Sequence, residues 1–500
     1  MVDVLLTHTY HLPYDSKQLR KMQPYRPLGT LYAAAALREA GLTVALFDSM
    51  LRDPGVAFAE CMEEHKPRIV AIYEDDFNFL TKMCLSRMRE VMKSIAHAAK
   101  LREVPVVVHG SDASDHPGFF LNSGADYLLL GEAENTLVAL CTALFSGGSS
   151  YGIAGLLQRD ATGGIVRSED ATSRNPDWER LPMPPLDLTD FAPYRQAWES
   201  HHRFFSVNMV ASRGCPFRCN WCAKPISGKK FHLRPAADVA EEMRQLKVNV
   251  GAQHIWFSDD VFALNQQWVK ELAHEVTARH AYLPFKIQTR ADLMTDQTVA
   301  ALKIAGCTEI WMGVESGSQK VLDAMDKGLR VREVEEARRR LKHAGIRACF
   351  FLQFGYPGER WKELQETIAL VRTTRPDDIG ISFSYPLPGT PFYERVQPQL
   401  GSKRNWTESD DLCILFEAEY ETAFYRAVRD ALHAEVSSWT EADASLTQLE
   451  IDRLWARVYE MEPVSRTKGS EHGSKTDILS PNRVAGFIAA DELLAKAGAQ

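Results

Sequence analysis

Three cysteines share one short stretch, ASRGCPFRCNWCAKP, at Cys215, Cys219 and Cys222. Their spacing is CxxxCxxC. With nine cysteines in 500 residues, random placement gives this pattern about 0.003 times per chain. Three thiolates on one loop make a soft-metal site. Structural zinc takes four ligands. The nearest fourth candidate, His232, stands ten residues after Cys222. A four-iron, four-sulfur cluster fits better, because three thiolates leave one iron open to a chelating molecule. The remaining cysteines, Cys61, Cys84, Cys141, Cys307, Cys349 and Cys413, are scattered and read as small buried hydrophobes.

The elements around this loop follow a βα rhythm. Within residues 201–400, strands are read at Ser206–Ser212, His254–Ser258, Pro284–Gln288, Glu309–Gly313, Arg347–Phe351 and Ile379–Phe383. Helical patterns lie between them. Six repeats are too few for an eight-stranded barrel and predict a partial (β/α)6 barrel, with its chemistry at the carboxyl ends of the strands. The cysteines follow the first strand. Residues 1–150 alternate five short apolar strands with helices, which predicts a doubly wound, Rossmann-like parallel sheet. Such sheets bind ligands beyond their strands' carboxyl ends. The loops there include His109-Gly110-Ser111-Asp112 and Gly131-Glu132, where glycine permits close ligand approach or simply a turn. No GxGxxG follows the first strand, so nicotinamide binding is weakly supported. Residues 151–200, with the proline-rich LPMPPLDL, read as an inter-domain linker. Residues 401–500 read as a small, mainly helical C-terminal region, and its segment Ser465–Asp477 is polar and glycine-containing.

Composition narrows the function classes. Against 58 Lys and Arg stand 66 Asp and Glu, a net charge of −8. That balance offers no general attraction to nucleic acid. No apolar run reaches the roughly 18 residues of a membrane span. The N-terminus reads as a strand entering a loop, without the features of a signal peptide. An odd cysteine count argues against a secreted disulfide framework. The expected location is cytoplasmic.

CxxxCxxC after the first strand of a partial barrel resembles the radical S-adenosylmethionine (SAM) superfamily. The resemblance implies that Cys215, Cys219 and Cys222 hold a [4Fe–4S] cluster. The open iron would bind the amino and carboxylate groups of SAM, whose reductive cleavage gives a 5′-deoxyadenosyl radical. It places Trp221 near the adenine. It assigns strand-end residues to SAM's polar groups: Asp259 and Asp260 after the second strand, Arg290 after the third, and Glu315, Ser316 and Gly317 after the fourth. The chemistry agrees, since Arg290 offers a planar fork for a carboxylate and Glu315 and Ser316 can bond hydroxyls or an ammonium. Taken singly, an Asp could be a helix cap and Arg290 a surface ion pair.

The N-terminal segments RPLGTLYAAAALREAGLTVALFDS, VVVHGSDASDHPG and DYLLLGEAENTL resemble the cobalamin (B12)-binding class of that superfamily. This implies corrin contacts from Pro27, Gly29, Gly110, Ser111, Gly131 and Glu132. A DxHxxG motif, which would supply a histidine below cobalt, is absent among the early histidines. The loop YEDDFN therefore offers Glu74, Asp75 and Asn78 for the corrin's lower face, or a helix cap instead. The implied activity is methyl transfer from methylcobalamin to an unactivated carbon of a small-molecule or lipid substrate, with an external electron donor of flavodoxin or ferredoxin type. Oxidative cyclisation or rearrangement without methyl transfer is the alternative within the class. A non-catalytic cobalamin or metal sensor is the alternative outside it.

Overall fold

The computed structural model describes residues 1–75, 77, 85–168, 182–224, 226–401, 412–439 and 446–467. The first sheet contains β1 (Val4–Thr7), β2 (Val44–Phe47), β3 (Ile69–Tyr73), β4 (Val106–His109), β5 (Tyr127–Leu129), β6 (Leu156–Arg159) and β7 (Ile165–Arg167). Its order is β2-β1-β3-β4-β5-β6-β7. The first five strands are parallel. Every residue of β1, β3 and β4 is buried, as expected of strands covered by helices on both faces. The order reverses between β1 and β3, which makes their carboxyl ends a switch point for ligand binding.

The linker expected over residues 151–200 is corrected in part. β6 and β7 extend the sheet with antiparallel pairings, and Phe191–His202 is a helix capped by the Asp190 side chain. Strands this short, interrupted by Gly163 and Gly164, give too little periodicity to read alone. The Leu186–Leu188 stretch that follows the prolines is a single 3-10 turn.

The second sheet holds β8 (Ser206–Met209), β11 (His254–Phe257), β12 (Phe285–Thr289), β13 (Cys307–Glu315), β14 (Arg347–Phe354) and β15 (Asp378–Phe383). All neighbours are parallel and in sequence order, so six strands form an open partial barrel. Between β8 and β11 lies a two-stranded ladder of β9 (Ser212–Arg213) and β10 (His232–Leu233). Along β13, Ile310, Met312 and Val314 are fully buried, while Trp311 and Gly313 alternate with them and stay partly exposed inside the barrel. Trp311 stacks on Phe351 at 4.7 Å.

The N-terminal domain packs against the barrel. The loop after β1 carries Tyr10, Leu12 and Tyr25 into the barrel's core cluster. Tyr25 meets Trp256 edge-on at 6.1 Å, and Trp198 Nε1 donates to the Pro24 carbonyl at 2.9 Å. The C-terminal helices Thr422–Ser437 and Gln448–Met461 join the same cluster through Phe424, Tyr425, Val428 and Trp455. Phe416 and Tyr420 are buried there too. Cys61, Cys141, Cys307 and Cys349 are buried and Cys413 partly so, whereas Cys84 lies outside the described residues. Among the described residues no helix is long and apolar enough to cross a membrane.

Candidate active site

The three cysteines occupy the loop between β9 and β10. Gly214 opens it at φ +82°, and a Cβ there would lie 2.3 Å from the Lys230 carbonyl oxygen. Lys224 Nζ donates to the Cys215 and Phe217 carbonyls at 2.6 and 2.5 Å and staples the loop. All three cysteines are partly exposed. Burial pushes the Cys215 thiol up, against the pull of Lys224. Among the described residues no three His, Cys, Asp or Glu side chains gather around one ion position. Thiols set apart on one loop suit a cluster, in which each cysteine binds a different iron.

The strand-end residues divide by environment. Asp259 is buried and accepts from Ala211 N at 3.1 Å and Ser212 Oγ at 2.5 Å. It clamps the turn from β8 into the cysteine loop. Burial pushes its carboxyl up to about 7. Asp260 beside it is exposed. Arg290 lies 3.9 Å over the Phe217 ring, inside the cysteine loop. Its guanidinium donates to Asp292 at 2.9 Å and to the Lys327 and Gly328 carbonyls at 2.8 and 3.2 Å. Arg290 thus braces the loop, and its fork is already occupied.

Glu315 ends β13 at φ +64°, a conformation that costs a residue with a Cβ about 1–3 kcal/mol. The pairing register shifts there, as bulges do where a side chain is re-aimed. Its carboxylate accepts from Lys327 Nζ at 2.7 Å, both groups buried. Burial would lower the Lys327 ammonium, but Glu315 beside it holds it above its ordinary value. Ser316 and Gly317 face the other way. Ser316 Oγ bonds Thr367 Oγ1 at 3.0 Å, and Gly317 N donates to the same oxygen at 2.9 Å. The Ser316 hydroxyl and the Gly317 amide therefore both engage helix Trp361–Thr374.

In the N-terminal domain, Glu74 accepts from Thr9 N and Thr9 Oγ1 at 3.1 and 2.6 Å. Burial raises its pKa. Gly110, at φ +151°, leaves room for Glu74, whose Cγ would lie 2.9 Å from a Cβ. Asp75 accepts from Gly29 N at 3.1 Å and so caps helix Leu28–Glu39. Pro27 precedes that helix as its N-cap residue. His109 Nε2 bonds the Gly131 carbonyl at 2.9 Å. Glu132 is buried, and Ser111 Oγ is buried without a hydrogen-bond partner. Asn78 lies outside the described residues. Thr9, Glu74, Asp75, His109, Gly110 and Ser111 line a small recess over the ends of β1, β3 and β4. His8 stands near, held by Asp48 at 2.9 Å. Burial opposes its charge, but Asp48 raises its pKa above the ordinary value.

Two ties join this recess to the cysteine loop. Arg213, two residues before Cys215, donates to Glu134 at 2.6 Å, with both side chains almost fully buried. Arg213 also lies 4.9 Å over the Phe77 ring. Behind them, Arg26 Nη2 donates to the Asn208 carbonyl at 2.8 Å. None of these pairings was legible from spacing, because each joins residues far apart in the chain.

Residues 209–371 match the radical SAM superfamily, and residues 23–141 match the B12 binding domain. The chain belongs to the radical SAM enzymes that carry a B12-binding domain. An uncharacterized methyltransferase of Pyrococcus horikoshii is 26% identical over 386 residues, covering 76% of this chain and 80% of its own. The anaerobic magnesium-protoporphyrin IX monomethyl ester cyclase of Cereibacter sphaeroides is 24% identical over 420 residues, covering 78% of this chain and 63% of its own. The fold is shared with the radical SAM methyltransferase TsrM of Kitasatospora setae, solved with cobalamin and a [4Fe–4S] cluster. Its TM-score is 0.64 at 21% identity, covering 79% of this chain and 78% of that one.

The radical SAM enzyme's own residues fit the cofactor set of its family, SAM and a [4Fe–4S] cluster in the barrel and cobalamin in the N-terminal domain. The donor set at the cluster loop is three thiols with no fourth side chain. Trp221 Nε1 is buried without a partner, an orphan donor beside Cys222. Ser111 Oγ is a second orphan, in the N-terminal recess. Buried polar atoms left unpaired are costly, and a ligand at each mouth would satisfy them.

Proposed function

We propose that this radical SAM enzyme transfers a methyl group from methylcobalamin to an unactivated carbon of a small-molecule or lipid substrate. The buried Arg213–Glu134 pair carries the reading. It fixes the start of the cluster loop against the helix that follows β5, which would let cofactors held by the barrel and by the N-terminal sheet share one space. Bound there, the cofactors would supply a radical initiator and a methyl donor. The chain's part is placement and enclosure. Cys215, Cys219 and Cys222 would hold the cluster, with Trp221, Glu315 and the braced Arg290 about SAM. Glu74, Asp75, Gly110 and Ser111, which line the recess, would meet the corrin, with Pro27, Gly29, Gly131 and Glu132 on the neighbouring strand-end loops. No histidine near it is free of a tie: His8 is bound to Asp48 and His109 to the Gly131 carbonyl. An external one-electron donor of flavodoxin or ferredoxin type would supply the reducing equivalent. The cyclase relative supports a second reading, oxidative ring closure on the same cofactors.

The test is anaerobic reconstitution with iron, sulfide and hydroxocobalamin, followed by an absorption spectrum. A shoulder at roughly 400 nm that is lost in Cys215→Ala, with corrin bands surviving desalting, is expected. Cluster without retained corrin would remove the methyltransferase reading. S-adenosylhomocysteine beside 5′-deoxyadenosine, and a product heavier by about 14, mark methylation. A product lighter by about 2 marks ring closure.

A further inference from the structure

Asn220 stands between Cys219 and Trp221, and all of its polar functions are engaged. It is 4% exposed. Its backbone N donates to the Met325 carbonyl at 3.0 Å, and its backbone O accepts from Phe392 N at 3.0 Å. Its Nδ2 donates to the Ala324 carbonyl at 2.8 Å and to Asp326 Oδ2 at 2.9 Å. Its Oδ1 accepts from the Tyr356 hydroxyl at 2.9 Å. These partners belong to the segments that follow β13, β14 and β15. The other half of the cysteine loop is held by different groups, Lys224 and Arg290.

The links run on to the C-terminal region. The Tyr356 ring stacks on Phe392 at 5.2 Å, and Phe392 meets Phe416 edge-on at 5.3 Å. Gly355, next to Tyr356, packs against Ile414 and Tyr425 so closely that a Cβ would lie 2.6 Å from Ile414 Cδ1. Only glycine fits there, also because φ is +81°.

We propose that Asn220 is a positioning residue: it locks the Cys219–Cys222 half of the cluster loop to the loops after β13, β14 and β15, and through Tyr356 and Phe392 to the C-terminal region. The two thiols and Trp221 are then in register before a cluster assembles. A full set of satisfied hydrogen bonds in a buried site is what enforces one arrangement. The proposal depends on the radical SAM assignment and not on methyl transfer.

The full-length chain is reconstituted with iron and sulfide, reduced with dithionite and given SAM alone. Iron per chain, the electron paramagnetic resonance spectrum with and without SAM, and the rate of 5′-deoxyadenosine formation are read. Tyr356→Phe keeps the ring stack and removes one hydroxyl. It should retain full iron, shift the g-values of the SAM-bound cluster and slow cleavage roughly 10-fold. Asn220→Asp opposes the Asp326 carboxylate and should slow cleavage roughly 100-fold or lose iron. Adding Asp326→Asn supplies an amide donor to the new carboxylate and should recover most of the loss. Wild-type spectra and rates in Tyr356→Phe and Asn220→Asp overturn the proposal. So does iron loss in Asn220→Asp that the double variant does not recover, beside an unaltered Tyr356→Phe. Iron loss that the double variant recovers supports it.

Discussion

At the end of β14, the Glu359 carboxyl is fully buried and accepts from Gly355 N at 2.6 Å. Burial pushes its pKa up to about 8 from the ordinary 4.5. The protonated form is therefore favoured by folding. Its contribution to stability is complete below the unfolded value and is lost as pH rises through the folded one. Glu359→Gln keeps a carbonyl acceptor and has no proton to lose. Its melting temperature should fall less than that of the wild type as pH rises from about 5 to 8, and the two should run parallel above that. Calorimetry across that range checks this, and curves parallel throughout would show that Glu359 does not titrate there. At this scale the sequence was most informative where residue type and spacing define the chemistry. Cys215, Cys219 and Cys222 stood out because thiols at CxxxCxxC spacing are rare by chance. Lys224, Asn220 and Lys327 did not, because a lone Lys or Asn has no spacing to mark it. Only their fold-dependent partners give them a role.

The elements themselves were legible wherever apolar residues alternate in strands or recur at helical spacing. Six barrel strands and five parallel strands of the first sheet lie where the pattern places them. The short antiparallel β6 and β7 escaped, since three or four residues of mixed polarity carry no period. Gly317 belongs to this scale. The loop after β13 lies so close to helix Trp361–Thr374 that a Cβ at Gly317 would stand 2.4 Å from the Glu366 carbonyl oxygen. Contact between elements is enough to require glycine there. Gly317→Ala should destabilise the fold by about 1–3 kcal/mol and lower the melting temperature by several degrees. Thermal unfolding measures both, and an unchanged midpoint would place the loop's tolerance higher than this packing allows.

Across the whole molecule, the Arg213–Glu134 pair is one of the ties between the domains. Burial alone would raise the Glu134 carboxyl, but the Arg213 guanidinium overrides it and holds it below the usual carboxylate range. Its contribution is present at neutral pH and is lost as pH falls through that lowered value. Glu134→Gln removes the carboxylate that faces the buried Arg213 guanidinium, a cost of about 3–5 kcal/mol. The variant should unfold at lower denaturant and lose corrin on desalting while its iron content persists. Equal retention of corrin by variant and wild type would remove the pair from the account of the shared space.

The sequence alone determined the chemistry class, because thiol spacing and hydrophobic period are local properties that survive in one dimension. It also determined two α/β units and their order along the chain. The tertiary structure decided what each polar residue is for. Arg290 offered a fork on paper and is a brace in the fold. Ser316 offered a hydroxyl and spends it on Thr367. Asp75 offered a lower-face ligand and caps a helix. Such outcomes depend on which groups come within about 3 Å across long separations in sequence, and burial makes every unpaired polar atom costly enough to enforce them.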